Sequence, residues 1–228
     1  MGKVCRKTAA LFCLVVSLFF AQHLVAQRLP PLKVGIDCTN APETQEWAEK
    51  IAVIAKEQYP LLVAMLDSEG YIPADSITIV IRHMDGVAHA TRQQIHISVN
   101  RVNKNPEDVG VVVHELIHIL QAYRRGGNRV DGWVTEGIAD YLRFFVYERN
   151  GERTCRVNPD RAKYTDSYRV TGAFFNWIVL MHDAGFIKRL NAACRNGTYS
   201  IALFKEYTGL TVDELWDDFI QSIKNKNS

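Results

Sequence analysis

The sequence is short of cysteine, of surplus charge and of long apolar runs, and each shortage removes a class of protein. Five cysteines occur in 228 residues, and only Cys38, Cys155 and Cys194 lie beyond the leading segment. No two of these have close metal-ligand spacing, which excludes a zinc site built from cysteine. An exported chain can keep one disulfide among them, with three pairings open and one thiol left over. Charge is nearly balanced, at 27 Lys plus Arg against 25 Asp plus Glu. Residues 1–26 hold Lys3, Arg6 and Lys7 and no acid, so 27 less 3 leaves 24 bases against 25 acids, a net −1. Such a chain has no global basic field for nucleic acid or an anionic membrane. No second apolar run of spanning length follows the first. Repeats, low-complexity tracts and Pro/Ser-rich linkers are also missing, which favours one domain with a substantial core. With 47% hydrophobic and 23% charged residues, a wholly disordered, collagenous or coiled-coil chain is excluded.

What is present begins with a leader. Lys3, Arg6 and Lys7 form a positive start, Ala9 to Ala21 is apolar except for Ser17, and Ala26 or Gln27 marks a cleavage edge. Residues 1–26 are therefore expected to be a secretory signal peptide, although Leu24 is larger than the usual residue three before the cut. An uncleaved anchor is the rival, but the stretch is short for a span of about 20 residues. Neither Cys5 nor Cys13 follows the small residue that lipid attachment requires. The expected product is one domain, 27–228, secreted or periplasmic, monomeric and free of the membrane.

Along that domain, Leu32 to Ile36 is β-like, and Thr44 to Tyr59 has helical spacing, with Pro60 restarting a helix through Leu66. Ser76 to Arg82 and Gln94 to Val99 alternate as half-buried strands. The period then changes. Asn105, Pro106 and Asp108 predict a helix entrance, with the helix running to Leu120 or Tyr123 and ended by Gly126-Gly127. Further helices are predicted over Val134–Tyr147, Tyr168–His182, Ile187–Cys194 and Ile201–Tyr207, and a last one opens on a Thr211/Glu214 capping box. Strands come early and helices late, so the class is α+β.

The informative stretch is His114-Glu115-Leu116-Ile117-His118, an H-E-x-x-H motif. Four helical residues turn the chain by about 400° and lift it about 6 Å, so both imidazoles face one way. At that spacing they can grip one zinc ion, with Glu115 beside them to take a proton from water. Chance yields the motif in roughly one such sequence per hundred, so an alternative stands: two helix histidines bonded to their neighbours. Three features count against it. The motif lies between apolar flanks, Val111 to Val113 and Ile119-Leu120, where unpaired polar groups are costly. Glu136 and Asp140 follow at i and i+4 on a predicted helix, next to Trp133, Ile138 and Ala139. Catalytic zinc takes three protein ligands, so Glu136 supplies the third, and Asp140 is placed to orient a histidine through its other ring nitrogen.

On these residues the chain resembles the gluzincins, metallopeptidases whose third ligand is a glutamate on a helix after H-E-x-x-H. More closely it resembles the basic secretory protein family of plants and bacteria. The likeness rests on Gly86-Val-Ala, Ile95-His-Ile-Ser, Val113 to Gln121, Glu136-Gly-Ile-Ala-Asp-Tyr-Leu-Arg143, Tyr168 to Phe175 and Leu215-Trp216. It covers most of residues 33–224, and the net −1 departs from the family's name. The resemblance implies a zincin-like fold: a twisted mixed sheet on an active-site helix, with a helical C-terminal half. It implies peptide or protein substrates, which in such folds pair with the sheet's edge strand; Asp85 to Ile97 is the candidate for that strand and its approach. His89 and His96 in that stretch read as surface or packing residues.

The expected mechanism uses Zn2+ to bring the pKa of water to about 7, with Glu115 accepting its proton and passing it to the leaving amine. The tetrahedral oxyanion needs a second donor. Tyr168 is chosen because it opens a matched block, with Tyr141 and Tyr164 as alternatives. The short interval 27–32 before the first strand leaves no room for a folded inhibitory propeptide. No Gly-x-Met-Glu-Asn segment like that of zinc aminopeptidases occurs, which favours an endopeptidase or oligopeptidase. Two other classes compete: a zinc hydrolase of a non-peptide amide such as a cell-wall component, and a secreted defence or binding protein with a structural metal. Glu115 argues against the last, since a structural site has no use for a base.

Overall fold

Isoleucine-rich segments build the sheet at the centre of the computed structural model, which describes residues 29–123 and 128–227. The proposed leader 1–26 and the pair Gly126-Gly127 lie outside those residues. The strands are β1 (Lys33–Asp37), β2 (Ser76–Arg82), β3 (Ala88–Ala90) and β4 (Gln94–Ser98), in the order β1-β2-β4-β3. β1, β2 and β4 are parallel, and β3 runs antiparallel to β4 at the edge. The register sets Ile79 beside Ile95 and Ile81 beside Ile97, so one face is a continuous apolar surface. β4 departs from the expected alternation, because Ile95, His96, Ile97 and Ser98 are all buried. Its second face is covered too: His89 stacks on His96 at 4.8 Å, and the Ser98 hydroxyl donates to the Met84 carbonyl at 3.1 Å.

Helix α1 (Gln45–Leu66) runs unbroken through Pro60, where a restart was expected. Its buried stripe continues across the proline as Ala55, Tyr59, Leu62, Val63 and Leu66. A mid-helix proline costs about 3 kcal/mol. Each fully buried Leu or Val contributes about 1.5–3 kcal/mol, so the three beyond the proline outweigh it.

A short helix absent from the sequence reading, α2 (Val99–Lys104), follows β4 directly, and α3 then spans Val111–Gln121. The entrance expected at Asn105-Pro106-Asp108 therefore lies too early. Asp108 does not cap the helix, because its carboxylate pairs with Arg101 and Arg143. Burial works against its ionisation, but the two guanidiniums outweigh burial and hold its pKa below the ordinary value.

The second half is helical: α4 (Gly132–Asp140), a π-helical continuation (Tyr141–Tyr147), α5 (Gly151–Thr154), α6 (Tyr168–Met181), α7 (Phe186–Asn196), α8 (Leu203–Thr208) and α9 (Val212–Asn227). The last opens on the expected box, with the Thr211 amide donating to Glu214 Oε2 at 2.8 Å and the Glu214 amide to Thr211 Oγ1 at 3.2 Å. Helices α4 and α6 cross closely because of two glycines. A Cβ on Gly137 would lie 2.3 Å from Thr171 Cγ2, and one on Gly172 would lie 3.0 Å from the Tyr141 nitrogen.

Buried Arg195 joins the halves. It donates to the carbonyls of Leu66 at 2.7 Å, Leu120 at 2.6 Å and Gln121 at 3.2 Å, and so satisfies the C-terminal ends of α1 and α3. The arrangement is α+β with a small mixed sheet. Cys38, Cys155 and Cys194 are free and buried. Among the described residues no helix is long and apolar enough to cross a membrane.

Candidate metal centre

Helical periodicity sets His114 and His118 one turn apart on α3, with ring centroids 4.7 Å apart and ring planes at 84°. Their Nε2 atoms lie 3.1 Å from each other. Glu136, on α4, brings Oε2 to 3.2 Å from His114 Nε2 and 3.3 Å from His118 Nε2. Each other ring nitrogen is tied down: His114 Nδ1 is 2.8 Å from Asp140 Oδ1, and His118 Nδ1 is 2.8 Å from Gln121 Oε1. A carboxylate and an amide oxygen only accept, so each Nδ1 is the donor, and the two Nε2 atoms face one another, each offering a lone pair whenever its ring is neutral.

Three electron-rich atoms on one point attract positive charge. Burial drives His114 toward neutrality, but its bonds to Asp140 and Glu136 outweigh burial and push its pKa up to about 9. Burial would raise Glu136, yet the two imidazoles bring it down to about 2. These three side chains could hold a metal ion. Two imidazoles and a carboxylate, with the outer nitrogens oriented from behind, fit the donor set of a catalytic zinc.

Glu115 stands beside the triangle and is only 5% exposed. Its Oε2 is buried without a hydrogen-bond partner among the described residues. Burial raises its pKa, against the opposing pull of His114 and His118. A buried carboxylate on a residue that lines the cleft is suited to taking a proton.

That cleft is about 980 Å³ and has two unlike walls. Gly86 to Ala90, comprising β3 and its approach, form one, and Ser167 to Val170 the other. His89 lines the first wall, while His96 packs behind it. Tyr168 opens the second wall, 54% exposed, with its ring 6.4 Å from that of His114 and planes within 20°. Both Ser167 (φ 64°) and Tyr168 (φ 49°) lie at positive φ, a costly conformation that aims the tyrosine into the cleft. The charge on Glu136, followed by burial, raises the Tyr168 pKa and keeps its hydroxyl protonated. The other two tyrosines are engaged elsewhere: Tyr164 donates to Asp213 Oδ1 at 3.0 Å, and Tyr141 is buried beside Phe145.

All six residues singled out in the sequence (His114, Glu115, His118, Glu136, Asp140 and Tyr168) thus meet at one cleft. Gln121 was missed. It holds His118 and in turn donates through Nε2 to the Thr135 carbonyl at 2.9 Å, linking α3 to α4. Its position three residues after His118, on the same helical face, is the signal that would have found it.

An α+β fold whose cleft holds a cluster able to bind a metal ion can now be set beside known families. The family model described as peptidase of plants and bacteria matches residues 47–219, and the chain belongs to that family. No curated protein and no solved structure matches the chain.

Proposed function

We propose that this chain is an exported, zinc-dependent peptidase of gluzincin type, with a leader at 1–26, a monomeric mature domain at 27–228 and a zincin-like architecture. The observation that carries this reading is the triangle of His114 Nε2, His118 Nε2 and Glu136 Oε2, beside the partnerless Oε2 of Glu115. An edge strand antiparallel to its neighbour, above the helix that bears the motif, supports the zincin comparison.

His114, His118 and Glu136 would hold the ion. When bound, zinc supplies Lewis-acid chemistry, lowering the pKa of water toward neutrality and polarising a carbonyl. Glu115, which lines the cleft, takes the proton of the attacking water and delivers it to the leaving amine. The Tyr168 hydroxyl, on an exposed side chain of the cleft, donates to the oxyanion as charge develops there. β3 is paired on one side only, so an extended substrate adds to its outer edge through backbone hydrogen bonds. The small side chains of Ala88 and Ala90 leave room for that approach. Asp140 and Gln121 fix the rings and take no part in proton transfer.

The test is the zinc content of the exported protein and its cleavage of a quenched peptide library, with Glu115→Gln as control. One zinc per chain in both proteins, with cleavage at least about 10²-fold lower in the variant, is expected. Zinc without cleavage of any peptide would sink the peptidase reading. Equal zinc loss in Glu115→Gln and Glu136→Gln would overturn the assigned roles.

A further inference from the structure

The cleft contains two arginines in opposite electrostatic states. Arg143 is satisfied: its Nε donates to Glu148 Oε1 at 2.7 Å, and its Nη2 pairs with Asp108. Its guanidinium carbon lies 4.6 Å from the centre of the Phe144 ring. Arg169 also sits over Phe144, at 5.1 Å, and lines the same cleft. Among the described residues its side chain has no ion pair and no hydrogen bond; it rests on the ring, and its charge reaches the buried Cys155 thiol.

Of the four carboxylates lining the cleft, Glu115 is buried beside the histidines and the other three have partners of their own. Glu136 faces both imidazoles and Asp140 holds His114. Asp166 accepts the Lys163 backbone amide at 2.8 Å. Arg169 is therefore a cation without a counter-charge, next in sequence to the tyrosine that faces His114. A guanidinium laid over an aromatic ring loses side-chain freedom but keeps its N–H edge for a planar, two-oxygen acceptor. In an open cleft such a charge is solvated and interacts weakly. When a substrate covers it, a matching carboxylate gains a charge-assisted, two-point bond, whereas a neutral residue leaves the guanidinium desolvated and unpaired.

We propose that Arg169 makes this a carboxylate-selective peptidase cleft, taking either an acidic side chain or a free chain end close to the bond over the metal centre. The proposal rests on the peptidase reading of the same cleft. Tyr168 and Arg169 line the same cleft, so the carboxylate held by Arg169 belongs to the part of the substrate lying in it. Arg143 does not compete, since its charge is already balanced by Glu148 and Asp108.

The experiment measures equilibrium binding of fluorescent peptides to the zinc-loaded Glu115→Gln protein, independently of turnover. Matched peptides carry Glu or Gln at positions flanking a central bond, each with a free or amidated C-terminus. The Glu or free-acid member of a pair should bind about tenfold more tightly, equivalent to about 1.4 kcal/mol, and the gap should narrow at high salt. Discrimination between acid and amide ends identifies the chain terminus as the source, whereas discrimination between Glu and Gln identifies a side chain. Adding Arg169→Ala should erase the preference, and Arg169→Glu should turn it toward Lys. Arg169 is exposed, and circular dichroism of each variant checks that the fold is kept. A preference that survives Arg169→Ala, or matched pairs that bind alike, would overturn the proposal. The same peptides offered to the unmutated protein separate the two claims. Selective binding without cleavage refutes the peptidase reading alone, and cleavage without discrimination refutes the role of Arg169 alone.

Discussion

The two imidazoles of α3 stand one turn apart and aim at the same point, yet different chemistry holds each from behind. His114 leans on a carboxylate, Asp140, that is itself buried at 4% exposure. His118 leans on a neutral amide, Gln121, whose other end is bonded to the Thr135 carbonyl. An ionised acceptor makes its imidazole the more electron-rich ligand, whereas an amide supplies direction with little charge. The difference separates two tasks: His114 is the strong donor, and His118 is the ligand whose angle ties α3 to α4.

Four changes break or sharpen that contrast. The largest effect is expected from Glu136→Gln, which faces both rings and so removes what the two share. Metal affinity should fall more than for any change behind a single ring, read by competition with a zinc chelator. Asp140→Asn and Gln121→Ala come next, and their inequality is the test. Outer partners of ligating histidines typically carry about 10–100-fold in affinity. Asp140→Asn should sit at the upper end of that range and Gln121→Ala at the lower, and equal losses would erase the distinction drawn here. Gly137→Ala should have the smallest effect on metal, because its cost falls first on stability. The added methyl meets Thr171 Cγ2 at 2.3 Å, and overpacking of this kind costs about 1–3 kcal/mol, read from the denaturation midpoint. Since both anchors depend on α4, any loss of affinity should be shared evenly by the two rings.

The contrast also marks how far one-dimensional reading reaches. His114, Glu115 and His118 were legible because a helix repeats with a period that carries i and i+4 to one face, a rule needing no partner element. Glu136 and Asp140 were legible for the same reason within α4, although their distance from α3 was not. The Thr211/Glu214 box is likewise local and forms as expected. The start of α3 was misplaced where a long-range pair intervened. Asp108 is an acid beside a proline in one dimension, but in three it is the meeting point of Arg101 and Arg143, 7 and 35 residues away.

The tertiary structure alone decided the rest. It carried α1 through Pro60, since the burial that outweighs a lost hydrogen bond comes from other elements. It buried both faces of β4, paired Gln121 with His118, and bent the chain at Ser167 so that Tyr168 faces His114. It also left Arg169 over the Phe144 ring with no acidic partner among the described residues, while pairing Arg143 with Asp108 and Glu148. The sequence by itself determined the α+β class, the motif and its donor types, because residue chemistry and helical period are local properties. Which of those groups meet, and which charge remains free for a substrate, depended on contacts between residues far apart in the chain, and local order carries no record of them.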